Sequence, residues 1–285
     1  MISKKKKMCG CLVLALSLFV AGCGGIQQAA LMDKEMLFED EIELLYITDI
    51  DLNTECNDPV YVDLSKAEDG FTITSGGEYV LSGSYNQTIT VDVHDEIVHL
   101  FLDNLNVETA IGPAIEIASG GKVVITLMEN TVNTLFDAAY YKNEELNATI
   151  SSACDLTING SGTLYVCGYF KDAIHTKDVF KVIGSNVQLK AKRFGIKGND
   201  GIMLAPESLM IESEKNGCQT SNANKEQKGI IDIRDGEISI ISGQYALSSV
   251  SDVYIRSGEV YLNSVIADIY AEGQQYIEEG VFADE

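Results

Sequence analysis

The chain has 285 residues, of which 43 are acidic and 20 basic, and its formal net charge is −23. So acidic a protein would be repelled by a phosphate backbone, which argues against a role in binding nucleic acid. The 25 glycines, three prolines and absent tryptophan are typical of many short strands joined by glycine turns.

The first 23 residues have the organisation of a bacterial lipoprotein signal. Lys4 to Lys7 form a basic segment, Cys11 to Val20 form an apolar segment, and small residues precede Cys23. The apolar segment is too short to span a bilayer. We therefore predict a signal peptide at residues 1–22, lipidation of Cys23, and an extracytoplasmic protein held at a bacterial membrane. The alternative is an ordinary signal peptide that happens to end beside a cysteine.

Residues 23–70 are predicted to form a lipid-anchored tether and an N-terminal cap. This region is acidic, contains a run with helical character from Met32 to Leu45, and shows no repeat. A polar, non-repeating flank would cover the unpaired sheet edge and the exposed core at the end of a repeat array.

A seven-residue block recurs along the C-terminal half, and its third position is always apolar. Successive blocks start 24, 22, 22, 29 and 22 residues apart. A period of this length favours stacked repeats over a single compact core. The blocks are Ala148 to Cys154, Asp172 to Asp178, Phe194 to Asp200, Asn216 to Asn222, Tyr245 to Ser251 and Ala267 to Gly273.

Two short alternating segments joined at glycine separate neighbouring blocks, as in Ile231 to Ile233, Gly236 and Ile238 to Ile240. Alternation with period two indicates strands with one apolar side. We predict an all-β fold, a single-stranded parallel β-helix over residues 71–285, with about three short strands in each coil of 22–24 residues. Phe136 to Asn147 and Ala223 to Lys228 are interpreted as insertions.

Superposing the blocks places Asp178, Asp200 and Asn222 at the same seventh position, about 4.8 Å apart in a stack of parallel strands. Two oxygens on opposite sides of one calcium ion are separated by roughly the same distance, since Ca–O bonds are about 2.3–2.6 Å long. This column therefore predicts Ca²⁺ as a cofactor. A solvated acidic turn is the alternative. The candidate ligands are Asp155, Asp172, Asp178, Asn199, Asp200 and Asn222.

A basic column lies beside the acidic one. Lys171, Arg193 and Lys215 are 22 residues apart, and residues 171–200 hold seven basic and three acidic side chains. A local positive patch on an acidic protein suits a polyanion such as an acidic polysaccharide. Lysines that protect the turns from edge pairing are the alternative. The candidate carbohydrate-binding residues are Lys171, Lys177, Arg193, Lys197, and the rings of Phe194 and Tyr245, which could stack on a sugar.

The remaining cysteines and histidines show no metal-ligand spacing. Cys56, Cys154, Cys167 and Cys218 are interpreted as free, small apolar residues, although one disulfide stays possible. His94, His99 and His175 are interpreted as ordinary surface or turn residues.

Three segments resemble a known family: Asp155 to Leu164 (DLTINGSGTL), Lys171 to Asp178 (KDAIHTKD) and Gly195 to Asp200 (GIKGND). They are similar to the "DLTINGSGTL", "KDGI.SKDD" and "GI.GKD" motifs of bacterial carbohydrate-binding domain-containing proteins, which form β-helices like those of pectate lyases. The resemblance covers roughly Phe71 to Gly273. It implies a right-handed β-helix at the cell surface that binds acidic or cellulose-like polysaccharide with calcium on the turns.

Some residues depart from the family motifs. Cys154 replaces an aspartate, Ala173 a glycine and Val179 an aspartate, while Asn216 begins a block that often begins with aspartate. The resemblance therefore implies fewer or weaker calcium sites than is usual in the family. Asp155, Asp172, Asp178 and Asp200 match the family's aspartates.

The predicted function is non-catalytic binding of a polysaccharide, either an acidic one such as polygalacturonate or a cellulose-like one, assisted by calcium. One alternative is a calcium-dependent polysaccharide lyase, with Lys177 or Arg193 as the base. Another is a structural surface rod or adhesin.

Overall fold

The computed structural model describes residues 45–68, 70–143, 145–223 and 227–283. The predicted signal peptide, the lipidation site Cys23, the tether and most of the run from Met32 to Leu45 lie outside these residues. Within them there is one short α-helix, α1 (Asp49–Leu52), and a 3-10 turn at Leu64–Lys66. No helix among these described residues is long and apolar enough to cross a membrane.

The strands pair in parallel and form two sheets. The nine-stranded sheet, which we call ladder A, contains β2 (Phe71–Ile73), β4 (Ile89–Asp92), β6 (Ile115–Ser119), β9 (Ala148–Ser152), β12 (Asp172–Thr176), β15 (Ile196–Gly198), β18 (Cys218–Gln219), β21 (Tyr245–Ser249) and β24 (Ala267–Ala271).

The 16-stranded sheet contains two further stacks. Ladder B contains β7 (Lys122–Leu127), β10 (Asp155–Gly160), β13 (Val179–Ile183), β16 (Gly201–Ala205), β19 (Ile230–Ile233), β22 (Val253–Ile255) and β25 (Gln275–Ile277). Ladder C contains β8 (Val132–Phe136), β11 (Thr163–Gly168), β14 (Asn186–Ala191), β17 (Ser208–Ser213), β20 (Glu237–Ser242) and β23 (Glu259–Ser264).

A long strand, β5 (Ile97–Glu108), joins ladders B and C. Its first half pairs with β7 and its last three residues pair with β8. On its other side it pairs with β3 (Gly77–Tyr85), which in turn pairs with β1 (Val60–Asp63). The all-β prediction is confirmed.

The third position of the block stacks in register through ladder A. Ile174 pairs with Ile150 on one side and with Ile196 on the other, and Cys218 pairs with Ile196 and Leu247. All five of these residues are fully buried. Each buried aliphatic side chain contributes about 1.5–3 kcal/mol to folding, so the inward rows of the three ladders supply the stabilising core.

Glycine is required where β10 turns into β11. Gly160 has φ = +92°, and a Cβ at that position would lie 2.3 Å from the carbonyl oxygen of Leu127 in the preceding repeat. Gly236 has φ = +107° at the corresponding turn between β19 and β20. These glycines allow successive turns to stack closely, because a side chain would be both strained and in collision.

The described residues of the predicted N-terminal cap lie in two places. Leu64 belongs to the main core beside β3, to which β1 is paired. Residues 45–53 instead cross the outer side of ladder B, where Leu45 packs against Val179, Ile183, Met203 and Ile230.

The four cysteines interpreted as free are free in the structure. Cys154 and Cys218 are buried, and Cys218 occupies the apolar third position of its block. Burial raises the pKa of the Cys218 thiol to about 12, which keeps it protonated and unreactive.

Candidate functional site

The outer side of ladder A carries a row of polar side chains at β12 and β15. Because Ile174 and Ile196 point inward, the next residues, His175 and Lys197, point outward and lie directly opposite each other in adjacent strands. Ser151 and Gln219 continue the row on either side. We call the surface formed by Lys171, His175, Lys177, Arg193, Phe194 and Lys197 the cationic face.

Asp172 anchors this face through Arg193. The Nε and Nη2 atoms of Arg193 each donate to a different carboxylate oxygen of Asp172 at 2.6 Å, and the backbone N–H of Phe194 donates at 3.2 Å. Asp172 has no exposed surface. Burial raises the pKa of its carboxyl group, and the hydrogen bonds and charge of Arg193 oppose that increase. Both oxygens of this predicted calcium ligand therefore bind a guanidinium group.

The Arg193 guanidinium also lies over the ring of Phe194, with its Cζ atom 4.9 Å from the ring centroid. This cation–π contact and the paired hydrogen bonds to Asp172 fix the orientation of the guanidinium. Two predicted carbohydrate-binding residues are thus held together by a buried aspartate.

His175 lies between these charged groups and was missed by the sequence reasoning. Its side chain is 13% exposed, and its Nδ1 atom lies 3.9 Å from an oxygen of Asp172. The Nε2 atom is buried without a hydrogen-bond partner. Burial, followed by the charges of Lys197, Arg193 and Lys177, lowers the pKa of His175 to about 4. The fourth position of the block, opposite the apolar third in a strand, was the available signal.

The basic column forms as predicted from the repeat. The backbone N–H of Arg193 donates to Lys171, and that of Lys215 donates to Arg193, at 2.8 and 3.0 Å. The Lys171 ammonium lies 4.5 Å from the ring centroid of Phe170 and donates to Asn147 at 2.9 Å. Phe170 in turn stacks on the buried ring of Tyr141. The insertion after β8 therefore supports one edge of the cationic face.

Two other lysines at this face differ in burial. Lys177 is exposed, whereas Lys197 is half-buried. Burial, with Arg193 acting in the same direction and Asp172 against it, lowers the pKa of Lys197. An ammonium that is partly desolvated gains more from a bound carboxylate than a fully hydrated one.

The charge count overstates the extent of the basic patch. Lys181 points outward from ladder B and bonds to Asp51, and Lys190 pairs with Glu212 on ladder C. The charges are distributed over three ladders because consecutive strands of one repeat belong to different ladders. The number of basic residues in a stretch of sequence does not show which ladder carries each of them.

The predicted aromatic platform is discontinuous. Phe194 lies beside Arg193, whereas Tyr245 lies two blocks further along and pairs with Tyr270, their ring centroids 5.2 Å apart. Asn216 links the two positions, since its side-chain oxygen accepts the backbone N–H of Tyr245 at 3.2 Å.

The residues of the predicted calcium column are neighbours. The backbone N–H of Asp200 donates to the carbonyl oxygen of Asp178 at 3.2 Å, and the side-chain amide of Asn222 donates to Asp200 at 2.5 Å. Asp200 is buried, and its second carboxylate oxygen pairs with the ammonium of Lys228. The column is therefore real, but its central carboxylate already binds two donors.

The other predicted ligands also bind protein groups. Asp155 accepts the backbone N–H of Val179 at 3.1 Å, and Asn199 accepts the hydroxyl of Ser221 at 2.8 Å. Among the described residues, no group of three or more His, Cys, Asp or Glu side chains could hold a metal ion. As these side chains lie, they do not fit a calcium ion, which requires six to eight oxygen ligands.

Comparison with known proteins identifies relatives of this chain. Residues 67–283 match the family model described as "Carbohydrate-binding domain-containing protein". A protein of that description from Acetivibrio thermocellus is 31% identical over 235 residues, which cover 79% of this chain and 82% of the relative. A solved structure, the gadolinium derivative of a polysaccharide lyase-like protein from C. thermocellum, superposes with a TM-score of 0.74 at 30% identity and covers 79% of this chain and 98% of that one.

Proposed function

Since the chain belongs to the carbohydrate-binding domain-containing protein family, we propose that it binds an acidic polysaccharide on the cationic face without cleaving it. The organisation of this face is the observation that carries the proposal. On a protein with net charge −23, it gathers Lys171, Lys177 and Lys197 around an oriented Arg193.

The face suits carboxylates that repeat along a chain. The proposal treats ladders A, B and C as the three sides of a right-handed parallel β-helix, with one strand of each ladder in every coil. Lys171, Arg193 and Lys215 then recur at steps of about 4.8 Å along the stack. A polyuronate lying along ladder A would meet successive cations, and the charge complementarity would orient it.

Stacking contributes less than charge in this proposal. Phe194 is half-buried and already contacts Arg193, so only part of its ring is available to a sugar. Aromatic contact is therefore expected to adjust affinity, whereas the cations determine which polysaccharide binds.

Calcium assistance and the membrane anchor are separate predictions, and polysaccharide binding on the cationic face depends on neither. The lipid at Cys23 would place the binding face outside the cell.

The test compares two double variants that remove the same charge. Lys177→Ala/Lys197→Ala removes two cations from the face, whereas Lys66→Ala/Lys190→Ala removes two that pair with Asp63 and Glu212 elsewhere. In affinity electrophoresis with polygalacturonate, we expect the first to lose at least about tenfold in affinity, as weakening of a few charge-assisted contacts implies. Equal affinity of both variants would refute the proposed face.

The lyase alternative has a specific observation in its favour, the 0.74 TM-score with a protein described as polysaccharide lyase-like. Turnover of polygalacturonate with calcium would produce unsaturated ends that absorb ultraviolet light. We expect binding without such a signal. A signal that Lys177→Ala or Arg193→Lys abolishes would replace the binding proposal with the lyase.

A further inference from the structure

We propose that the ammonium group of Lys228 is the resident cation of the acidic column Asp178, Asp200 and Asn222, in the place where the repeat predicts calcium. The inference concerns metal independence of the fold and does not rest on polysaccharide binding.

The contacts of Asp200 are the evidence for this proposal. Its carboxylate is buried, with 4% of the residue exposed, and it binds Lys228 through one oxygen and the Asn222 amide through the other. The Lys228 side chain is 19% exposed. A buried carboxylate requires a compensating charge, and here a side chain of the same protein provides it.

Lys228 lies in the longest interval between two successive seven-residue blocks, and the extra residues of this interval bring it to Asp200. The spacing is 29 residues where Lys228 lies, compared with 22 on either side. The insertion ends at Gly229, whose φ is +74° and whose backbone N–H donates to the carbonyl oxygen of Asp200 at 2.6 Å. The chain therefore returns to the stack directly beside the carboxylate that Lys228 neutralises.

The return of the insertion is fixed from two neighbouring repeats. The carbonyl oxygen of Gly229 accepts the hydroxyl of Thr220 at 2.7 Å and that of Ser249 at 2.5 Å. Both hydroxyl groups belong to buried residues. The backbone of Gly229 is thus held on both sides, which places the neighbouring Lys228 within reach of Asp200.

A tethered cation and a calcium ion would compete for the same oxygens. To reach Asp200, calcium would have to displace Lys228 and turn the Asn222 amide so that its oxygen faces the ion. The ammonium has a high effective concentration because it belongs to the chain. Removal of Lys228 should therefore convert the column into a cation-binding site.

The experiment measures the melting temperature in the presence of a chelator and in the presence of calcium at about 5 mM. This concentration lies above the dissociation constants of extracellular calcium modules. Calcium should change the melting temperature of the wild type and of Asp200→Asn by the same amount. The melting temperature of Lys228→Met should rise by about 3 °C or more when calcium is added. Lys228→Met/Asp200→Asn should lose that gain, and Lys228→Arg, which keeps a cation, should behave as wild type.

Two results would overturn the proposal: a wild-type calcium response that Asp200→Asn abolishes, or a Lys228→Met variant whose calcium response equals that of wild type. If Lys228→Met folds poorly, nuclear magnetic resonance of the wild-type lysine ammonium groups provides a second reading. The Lys228 signal should keep its position when calcium is added. A shift that saturates with calcium and is absent in Asp200→Asn would contradict the proposal.

Discussion

Two aspartates, Asp172 on ladder A and Asp51 on the outer side of ladder B, have no exposed surface and bind basic residues. Asp172 binds Arg193, whose side chain is 26% exposed, whereas Asp51 binds Lys122 and Lys181, which are 13% and 7% exposed. The first pair leaves a cation at the surface. The second keeps its charges within the protein.

The two carboxyl groups also differ in pKa. Burial acts to raise both values. At Asp51, hydrogen bonds from Lys122, Thr157 and Thr48 and the charge of Lys181 outweigh burial, so the pKa lies below its usual range. At Asp172 burial prevails over Arg193, and the pKa is raised.

The two aspartates also hold different parts of the protein. The Asp51 group fastens residues 45–53 to ladder B, where Asn159 donates to the carbonyl oxygens of Asp51 and Asn53 at 2.9 Å each. The Asp172 group orients the guanidinium of Arg193, which stays partly exposed. A buried ion pair on this scaffold can therefore fasten a segment or orient a surface cation, depending on whether its cation reaches solvent.

Replacement of Asp51 is the largest expected effect. Asp51→Asn leaves Lys122 and Lys181 without their counter-charge, and an uncompensated buried charge costs about 3–5 kcal/mol. We expect urea denaturation to show that loss in the free energy of unfolding. Asp63→Asn, which alters an exposed pair with Lys66, is the matched control and should leave the denaturation midpoint nearly unchanged. Equal losses in both variants would contradict the attachment role.

The next prediction concerns the buried core. Ile196→Ala removes a fully buried side chain that stacks between Ile174 and Cys218, and such truncations cost about 2–5 kcal/mol. Ile241→Ala, at a position that is 51% exposed, serves as control and should cost less than about 0.5 kcal/mol. Urea denaturation measures both values, and similar costs would contradict the stacked register.

Asp172→Asn should be less destabilising than Asp51→Asn. Arg193 is partly exposed and can turn its guanidinium to water, so the expected loss is about 1–3 kcal/mol. The same substitution should weaken polygalacturonate binding, because Arg193 and Phe194 lose their anchor. Measured affinity equal to that of wild type would show that the orientation of Arg193 does not matter for recognition.

The smallest effect concerns pH. His175 has a pKa of about 4 in the folded protein, compared with an ordinary value of 6.5. The unfolded chain therefore binds more protons between these values, so the stability contributed by neutral His175 is complete above pH 6.5 and is lost as the pH falls toward 4. His175→Gln should reduce the pH dependence of the unfolding free energy in this window by up to one proton, measured by urea denaturation at several pH values. An unchanged slope would contradict the burial of a neutral imidazole.

The periodic features of the fold were predictable from the sequence. The apolar third position of each block and the glycines between strands depend on local steric and burial constraints, and Ile174, Ile196 and Gly160 obey them. The 22-residue spacing also placed Lys171 beside Arg193, because equivalent positions pair in a stacked repeat.

The partners of the charged side chains were less predictable. Asp200 and Asp178 lie side by side as the repeat requires, but Lys228 belongs to a non-repeating insertion, so the period says nothing about it. Asp51 and Lys181 are 130 residues apart and meet only because residues 45–53 cross ladder B. His175 was interpreted as a surface or turn residue because it has no metal-ligand spacing, although the fourth position of its block predicts a strand residue on the outer side of ladder A.

The binding face can be tested most directly by amine labelling of the native protein, read by mass spectrometry, with and without polygalacturonate. We expect the polysaccharide to slow the labelling of Lys171, Lys177 and Lys197, while Lys66 and Lys190 react at unchanged rates. Protection of Lys66 and Lys190 instead, or equal protection of all five lysines, would contradict recognition by ladder A.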